Sequence, residues 1–327
     1  MNGLRTLDQL EVIAIVDNTI AVWTDPKRDD VQRASKWVDE DAADDEKIIV
    51  AGSGLCLLLR ATVGDETRTV LYDTAEGEAS LANNVAALGL DMSKVEEIVM
   101  SHGHADHFGG VLWVLRKIGR KGTPVHTHPR MFLKKGVLIK KPEGDEIREG
   151  RLISTQKEIE QAGGKIFASD KPILLANNML LRTGEVPRET DYEKGYPGHK
   201  AFKDGKWEDD PGVQDDVSLV AKVRGKGIVT ISGCSHAGII NIIRETQRLT
   251  GEDQVHGILG GLHLAGRTSV ETMTKTIDEI ESIRPKLLVP CHCTGWRARH
   301  MMSRLMPDSY VEGSVGHKYI IERVGVS

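Results

Sequence analysis

Four side chains that could bind metal ions fall within six residues of one short segment. This segment, residues 101–110, reads SHGHADHFGG and contains His102, His104, Asp106 and His107. Because alternate residues of an extended chain point the same way, His102 and His104 can approach one ion from a common side. Asp106 and His107 lie at the bend into the next predicted helix, where they could bind a second ion about 3.5 to 4 Å away. Imidazole and carboxylate ligands suit zinc, iron or manganese.

The same segment also has a purely structural interpretation. Asp106 would then cap the helix that begins near Phe108, and each histidine would be an ordinary polar loop residue. For one isolated histidine that interpretation would be preferred. Three crowded imidazoles, however, would carry a desolvation cost without a compensating bond, so the spacing favours a metal site.

A metal site needs further ligands, and three later motifs supply candidates after apolar strand patterns. They are GCSHAG with Cys234 and His236, GGLHL with His263, and PCHCTG with His292. Binding residues are expected at such strand ends on a rigid scaffold. We favour His236 and His292 as ligands. For His263 a buried core histidine is an equal alternative, and Cys234 suits a soft ligand, a core residue or a group that supports the ligands. His199 lies in a polar stretch and is left out of the predicted site.

Strand and helix patterns alternate along the chain and must position these motifs. Strands are predicted at residues 10–15, 48–60, 68–73, 96–100, 124–127, 179–182, 217–223, 227–232, 255–259 and 287–289. Helices are predicted at residues 78–88, 108–117, 155–162, 239–249 and 269–283. Strand clusters that alternate with helices indicate two sheets covered by helices.

The polar stretches between these elements predict a lid. Residues 134–150 read as a charged, solvated excursion, and residues 190–216 as a long polar insertion. We therefore expect residues 1–327 to form one domain with a lid or insertion at about residues 130–215.

The composition is that of an ordinary folded protein. The chain has 327 residues, 39% hydrophobic and 28% charged side chains, and a net charge of −5. With no basic excess and only 4% aromatic residues, we expect no nucleic-acid partner. No stretch is a good membrane span, and the N-terminal residues lack the apolar run of a secretory signal. The four cysteines are too scattered for a disulfide framework. We predict a cytoplasmic protein with no membrane partner.

The pattern H-x-H-x-D-H after a strand, preceded by LYDT and followed by histidines at later strand ends, resembles the metallo-β-lactamase superfamily over essentially the whole chain. Several motifs resemble one branch of this superfamily, the 7,8-dihydropterin-6-yl-methyl-4-(β-D-ribofuranosyl)aminobenzene 5′-phosphate synthase-like proteins. These motifs are VDNT, LANN, TGEVPR, QDDVSLV, GCSHAGIINI, GGLHL and HCTG. The resemblance implies an α/β (α+β) fold, a four-layer αββα sandwich with metals at one edge between the sheets.

The resemblance also assigns roles to individual residues. The implied ligands are His102, His104, Asp106, His107 and His292, and Asp73 matches an acidic residue that orients a ligand. Cys234 stands where the superfamily has an aspartate that bridges two metals. The usual intermediate histidine has two candidate counterparts, His236 and Glu185. Glu185 is also, with Arg188, a candidate for substrate contact.

The predicted function is that of a metal-dependent hydrolase or transferase. One or two divalent ions, zinc first with iron or manganese as alternatives, would polarise a carbonyl or phosphoryl oxygen and lower the pKa of bound water toward ~7. Asp106 and His107 are the predicted catalytic residues, and Asp106 holds the second ion or accepts a proton. The expected partner is a small-molecule substrate, phosphorylated in the branch-specific case, where a pterin diphosphate condenses with an aminobenzene ribotide. Arg188 could neutralise phosphate charge, although a solvated surface role is the simpler reading.

A different class of protein shares the same residues. An iron-containing redox or metal-sensing protein of the same fold is the alternative prediction. The thiols of Cys234, Cys291 and Cys293 suggest it.

Overall fold

A computed structural model describes residues 3–21, 28–39, 44, 48–266 and 268–324, and two large sheets dominate it. The strands are β1 (Thr6–Leu7), β2 (Gln9–Val16), β3 (Val31–Gln32), β4 (Cys56–Val63), β5 (Glu66–Tyr72), β6 (Glu97–Val99), β7 (Thr123–Thr127), β8 (Lys134–Ile139), β9 (Glu146–Glu149), β10 (Gly164–Ala168), β11 (Ile173–Leu175), β12 (Leu180–Arg182), β13 (His199–Lys203), β14 (Lys206–Asp209), β15 (Ser218–Val223), β16 (Gly227–Ser232), β17 (Val255–Gly261), β18 (Leu287–Cys291) and β19 (Lys318–Glu322).

Eight α-helices and two short 3₁₀ turns connect the described strands. The helices are α1 (Ala34–Trp37), α2 (Glu78–Ala87), α3 (Ala105–Phe108), α4 (Val111–Ile118), α5 (Gln156–Gln161), α6 (Ile239–Thr250), α7 (Val270–Ile283) and α8 (Trp296–Leu305), and the turns span Met92–Lys94 and Pro129–Phe132. Within the described ranges, none of these helices combines the length and the apolar character needed to cross a bilayer.

Each large sheet contains a run of parallel strands. The first sheet has the order β10-β7-β6-β5-β4-β2-β19-β3, and β5, β6, β7 and β10 are parallel neighbours. The second has the order β11-β12-β15-β16-β17-β18, with β1 beside β15, and β16, β17 and β18 are parallel. Because parallel strands end at the same edge of a sheet, the segments that follow them converge there.

The two sheets pack face to face between layers of helices. Successive side chains of a strand point to opposite faces, so β2 contributes to two cores. Its Leu10 and Val12 pack between the sheets, whereas Ile13 and Ile15 pack against the layer that contains α2 and α4. On the far side, α6, α7 and α8 cover the second sheet through an apolar cluster that includes Ile243. The predicted four-layer αββα sandwich is confirmed.

The stretch predicted as a strand at residues 48–60 is only half a strand. β4 begins at Cys56, and the preceding residues instead approach the ligand segment. A Cβ atom on Gly54 would lie 1.9 Å from the carbonyl oxygen of Asp106, and Gly54 has a φ of +100°. Only glycine allows the backbone this close approach and this φ.

Residues 130–215 contribute to all three sheets. β8, β9, β13 and β14 form a separate four-stranded sheet of order β14-β13-β8-β9, so residues 134–149 are not an irregular excursion. β10 joins the first large sheet, and β11 and β12 join the second. β8 begins with two lysines followed by a short apolar run, and three of the four residues of β9 are charged, so neither shows the alternation that normally reveals a strand. α8 and β19 were also not predicted.

Candidate metal centre

The clustered ligand segment and the later motifs meet at one edge of the sandwich. His102 and His104 follow β6, Cys234 and His236 follow β16, His263 follows β17, and His292 follows β18. His102, His107, Cys234, His236 and His292 are buried, while His104, Asp106 and His263 are partly exposed. The structure therefore brings together every residue that we predicted as a metal ligand.

Three imidazoles form one candidate ligand set. The ligand atoms of His102, His104 and His236 all lie within 4.8 Å of one another. Burial and the neighbouring imidazoles hold the pKa of His102 and of His236 well below the usual value, and burial lowers the pKa of His104 to about 4. These rings are therefore neutral at pH 7, which is the form that binds metals. The Nε2 atom of His236 is buried without a hydrogen-bond partner.

His236, and not Glu185, stands where the intermediate histidine was sought. The Glu185 side chain is exposed, and its backbone N–H donates to the carbonyl of Asp170, away from this set. The sequence left the two residues as alternatives because Glu185 occupies a comparable position along the chain.

Asp106, His107 and His292 form a second set, again with all ligand atoms within 4.8 Å. The Nε2 atoms of His107 and His292 are 3.0 Å apart, and Oδ2 of Asp106 lies 3.5 Å from Nε2 of His292. Five imidazoles and one carboxylate in two groups suit two divalent ions of the zinc, iron or manganese type. Together with the unpartnered nitrogen of His236, this donor set fits the metals that the sequence predicted.

Asp73 holds both parts of the ligand segment. Its Oδ2 lies 2.6 Å from Nδ1 of His107, and the same carboxylate accepts hydrogen bonds from the backbone N–H and the Oγ–H of Ser101, each at 2.7 Å. Ser101 Oγ in turn lies 2.9 Å from Nδ1 of His102. Although burial opposes protonation, Asp73 and Asp106 raise the pKa of His107 to about 9. Asp73 thus lies where a residue that orients ligands must lie.

His292 is held by two residues from the other end of the chain. Asp17 Oδ1 accepts the backbone N–H of His292 at 2.8 Å, and Asn18 Nδ2 donates to the His292 carbonyl at 3.0 Å. Asn18 Oδ1 also lies 3.4 Å from Nδ1 of the His292 ring. His292 has a φ of 49°, which non-glycine residues adopt only when their surroundings enforce it. The VDNT motif therefore positions a candidate ligand, a role that the sequence alone did not reveal.

Cys234 lies between the two sets. Its Sγ is 3.1 Å from Nε2 of His107, and burial raises the pKa of the thiol. Cys293 is partly exposed and close to Cys234, whereas Cys291 is buried in the core between the sheets and belongs to none of the ligand groups among the described residues. Of the three thiols in the redox hypothesis, only Cys234 and Cys293 reach the site.

His199 is a site residue that the sequence did not identify. It lies on β13, with its ring centroid 5.7 Å from that of His104 and 5.4 Å from that of His236. Burial and His263 lower its pKa to about 4. No signal in the sequence pointed to it, because the third sheet that carries it was not predictable.

A buried ion-pair cluster joins the third sheet to the ligand segment. Lys135 on β8 pairs with Asp210 at 3.0 Å and with Asp215. Asp215 also accepts the backbone N–H of Gly103 at 2.7 Å, between the first two candidate ligands. The position of β8 is thereby coupled to the metal-binding loop.

A cavity of about 700 Å³ adjoins the centre. Its lining includes Tyr192, Lys194, Tyr196, His236, His263 and Cys293. Neither Glu185 nor Arg188 is among its lining residues. The Arg188 guanidinium donates to the carbonyl oxygen of Gly212 at 2.7 Å, and so fixes the loop before β15.

Comparison with known proteins points to one family. The family described as the metallo-beta-lactamase superfamily matches residues 49–292. A protein of Methanocaldococcus jannaschii named 7,8-dihydropterin-6-methyl-4-(beta-D-ribofuranosyl)-aminobenzene-5'-phosphate synthase is 30% identical over 261 residues, which cover 79% of this chain and 86% of that protein. An uncharacterized protein of the same organism is 33% identical over 263 residues, which cover 78% of this chain and 90% of that protein.

Solved structures show the same fold. A crystal structure of a metal-dependent hydrolase of the beta-lactamase superfamily matches with a TM-score of 0.69 and 21% identity, covering 94% of this chain and 98% of that one. The metallo-beta-lactamase fold protein YhfI from Bacillus subtilis matches with a TM-score of 0.51 and 11% identity, covering 96% of this chain and all of that one.

Proposed function

The chain belongs to the metallo-beta-lactamase superfamily, and we propose that it is a metal-dependent enzyme acting on a small phosphorylated molecule, as a transferase that joins a reduced pterin to an aminobenzene ribotide. One observation carries this proposal. Two three-residue ligand sets lie side by side at the edge of a large cavity, and both are close to Cys234. The related synthase of M. jannaschii supplies the substrate class, because its name describes such a product.

In this proposal, His102, His104 and His236 would hold one divalent ion, and Asp106, His107 and His292 would hold the other. Zinc is the first candidate, with iron or manganese as alternatives. When bound, such ions would stabilise negative charge on phosphoryl oxygens and lower the pKa of a water molecule to about 7.

The chain's own residues position the ligands and the substrate. Asp73 keeps Nδ1 of His107 engaged, so that only Nε2 faces the centre. Against the effect of burial, His107 and His292 lower the pKa of Asp106, which keeps it a carboxylate suited to binding a cation. Lys194 and Lys275 line the cavity and can neutralise substrate phosphate, while Tyr192 and Tyr196 offer rings for a flat heterocycle.

The proposed condensation is a substitution. The C–O bond between the pterin methylene group and its diphosphate breaks, and a bond to the aminobenzene part forms with loss of one proton. Diphosphate leaves with the bonding electron pair. Hydrolysis of a phosphate ester at the same ligands is the other reaction that the family admits.

Reconstitution tests the proposal. Protein stripped with chelator would be reloaded separately with zinc, manganese or ferrous ion and incubated with a dihydropterin methyl diphosphate and an aminobenzene ribotide. We expect metal-dependent diphosphate release and a condensed product by mass spectrometry, both lost in His104→Ala. If a phosphodiester is cleaved and no condensed product forms, the protein is a hydrolase and not a transferase. If neither substrate class is turned over in a metal-dependent reaction, the proposal that the protein is a metal-dependent enzyme is refuted.

The thiol of Cys234 favours one second candidate, an iron-containing redox or metal-sensing protein. A thiol 3.1 Å from a ligand nitrogen is placed to tune an iron centre. Protein purified without oxygen would then contain iron, and its visible absorption would change on exposure to air. A colourless protein that binds zinc and turns over substrate would exclude this candidate.

A further inference from the structure

Two thiols and one imidazole lie together on the cavity side of the centre and belong to neither proposed ligand set. The ligand atoms of Cys234 and His263 are within 4.8 Å of each other, and so are the sulfur atoms of Cys234 and Cys293. The ring of His263 is 4.2 Å, between centroids, from that of His236. Cys234 therefore lies close both to the sulfur of Cys293 and to the imidazole of His263, beside the first set.

The backbone around Cys293 is shaped to hold its sulfur. The backbone N–H of His263 donates to Cys293 Sγ at 3.3 Å, a bond that stabilises a thiolate. A Cβ atom on Gly261 would lie 2.7 Å from the same sulfur, so the thiol occupies a notch that only glycine leaves open. In this position, the sulfur of Cys293 lies near the sulfur of Cys234.

His263 shows two further features of a binding residue. Its φ is 48°, a conformation that is unfavourable for a non-glycine residue and that concentrates at functional sites. Its Nδ1 atom is buried without a hydrogen-bond partner. An unpaired buried nitrogen is unfavourable unless something outside the protein binds it.

We propose that Cys234, Cys293 and His263 form a third metal position, selective for a thiophilic divalent ion such as zinc, ferrous ion or cobalt(II). Two thiolates and one imidazole favour these ions over magnesium, calcium or manganese. Cys293 and His263 both line the cavity, so a small molecule in the cavity could supply a fourth ligand. A zinc ion with three protein ligands keeps one coordination position open for water or substrate, whereas a structural zinc ion has four protein ligands. The position goes beyond the proposed function, which needs only the six ligands of the two sets.

Titration of the stripped protein with cobalt(II) tests this position. Thiolate ligands to cobalt(II) produce a near-ultraviolet charge-transfer band, which imidazole and carboxylate ligands do not. The parent protein should bind three equivalents and show this band. Cys293→Ser should bind two equivalents and lose the band, because the ion that both thiolates bind is no longer held. His263→Gln should also bind two.

The chain offers matched controls for this experiment. Cys291→Ser and Cys56→Ser alter thiols buried in the two apolar cores and should leave stoichiometry and spectrum unchanged. If Cys293→Ser and His263→Gln both keep the parental stoichiometry and band, the third position is wrong. If His104→Ala loses one ion and the thiolate band persists, the third position stands whether or not any substrate is turned over. Circular dichroism confirms that each variant is folded.

Discussion

His107 Nδ1 lies 2.6 Å from Oδ2 of Asp73, and both side chains are completely buried. Asp73 therefore favours the protonated ring of His107 in the metal-free protein, whereas a metal ion requires the ring to be neutral. The rings of His102 and His104 have the opposite tendency, because burial lowers the pKa of each. In the metal-free protein at pH 7, His107 of the second set is therefore protonated, whereas His102 and His104 of the first set are neutral.

Proton release should distinguish the two sets. In His104→Ala, which keeps Asp106, His107 and His292, we expect binding of manganese, which the sulfur-rich position disfavours, to release about one proton at pH 7, because the pKa of His107 is about 9. Affinity should rise about tenfold per pH unit up to about pH 9. In His292→Ala, binding by the first set should release none. Calorimetry in buffers of different ionisation enthalpy measures the protons, and a buffer-independent enthalpy for His104→Ala would contradict the prediction.

Loss of either set should remove one ion without unfolding the chain. His104→Ala and His292→Ala should each lower the metal content by one equivalent, and activity should fall by more than about 100-fold. His300→Ala is the control, because His300 is exposed on α8. Elemental analysis gives the metal content. Equal content in parent and variants would show that the ligands are assigned wrongly.

Asn18 should matter for metal affinity although it is not a proposed ligand. Asn18→Ala removes the side chain that contacts both the carbonyl and the ring of His292, so affinity at the second set should fall about 10- to 100-fold. Asn83→Ala, which removes a hydrogen bond to the Ile48 carbonyl, should leave affinity unchanged. Competition with a chromophoric chelator measures both. An unchanged affinity in Asn18→Ala would refute the positioning role.

Lys135 should be needed for stability. Lys135→Met leaves Asp210 and Asp215 buried without their cation, which should lower the free energy of unfolding by about 3–5 kcal/mol. Lys134→Met on the same strand alters an exposed side chain and should change it by less than about 0.5 kcal/mol. Urea denaturation compares the two. A similar loss in both variants would mean that the buried cluster has no special role.

Acid should destabilise the metal-free protein. The pKa of His104 is about 4 in the folded chain and near 6.5 when unfolded, so the unfolded state binds more protons between these values. The contribution of His104 to stability should therefore be complete above about pH 6.5 and fall as the pH drops toward 4. Urea midpoints between pH 4 and 6.5 measure this, and His104→Gln should show a smaller dependence. A midpoint that rises on acidification within this range would contradict the assignment.

Much of the scaffold was predictable from periodicity, because long apolar strands such as β15 and β16 and amphipathic helices such as α6 carry strong local signals. The third sheet was not predictable, since its order β14-β13-β8-β9 depends on pairing between β8 and β13 rather than on local pattern. His199 was missed for the same reason.

The candidate site also contains some residues that the sequence could predict and others that it could not. Clustered spacing was enough to single out His102, His104, Asp106 and His107, and strand-end position was enough to single out His236 and His292. The supporting roles of Asn18 and Lys135 depend on contacts across distant parts of the chain, with Asn18 lying 274 positions from His292. Such contacts exist only in the folded molecule, and no local rule predicts them.

His107 and His292 are separated by 185 positions along the chain, yet their ring nitrogens share one proposed ion. During synthesis, 185 residues must therefore be added after His107 before the second set has all its donors. Until then a nascent polypeptide offers only Asp106 and His107 of the three proposed ligands. In the proposed site, metal binding by this set would follow translation of β18 and would link the segments that follow β6 and β18 in the two sheets.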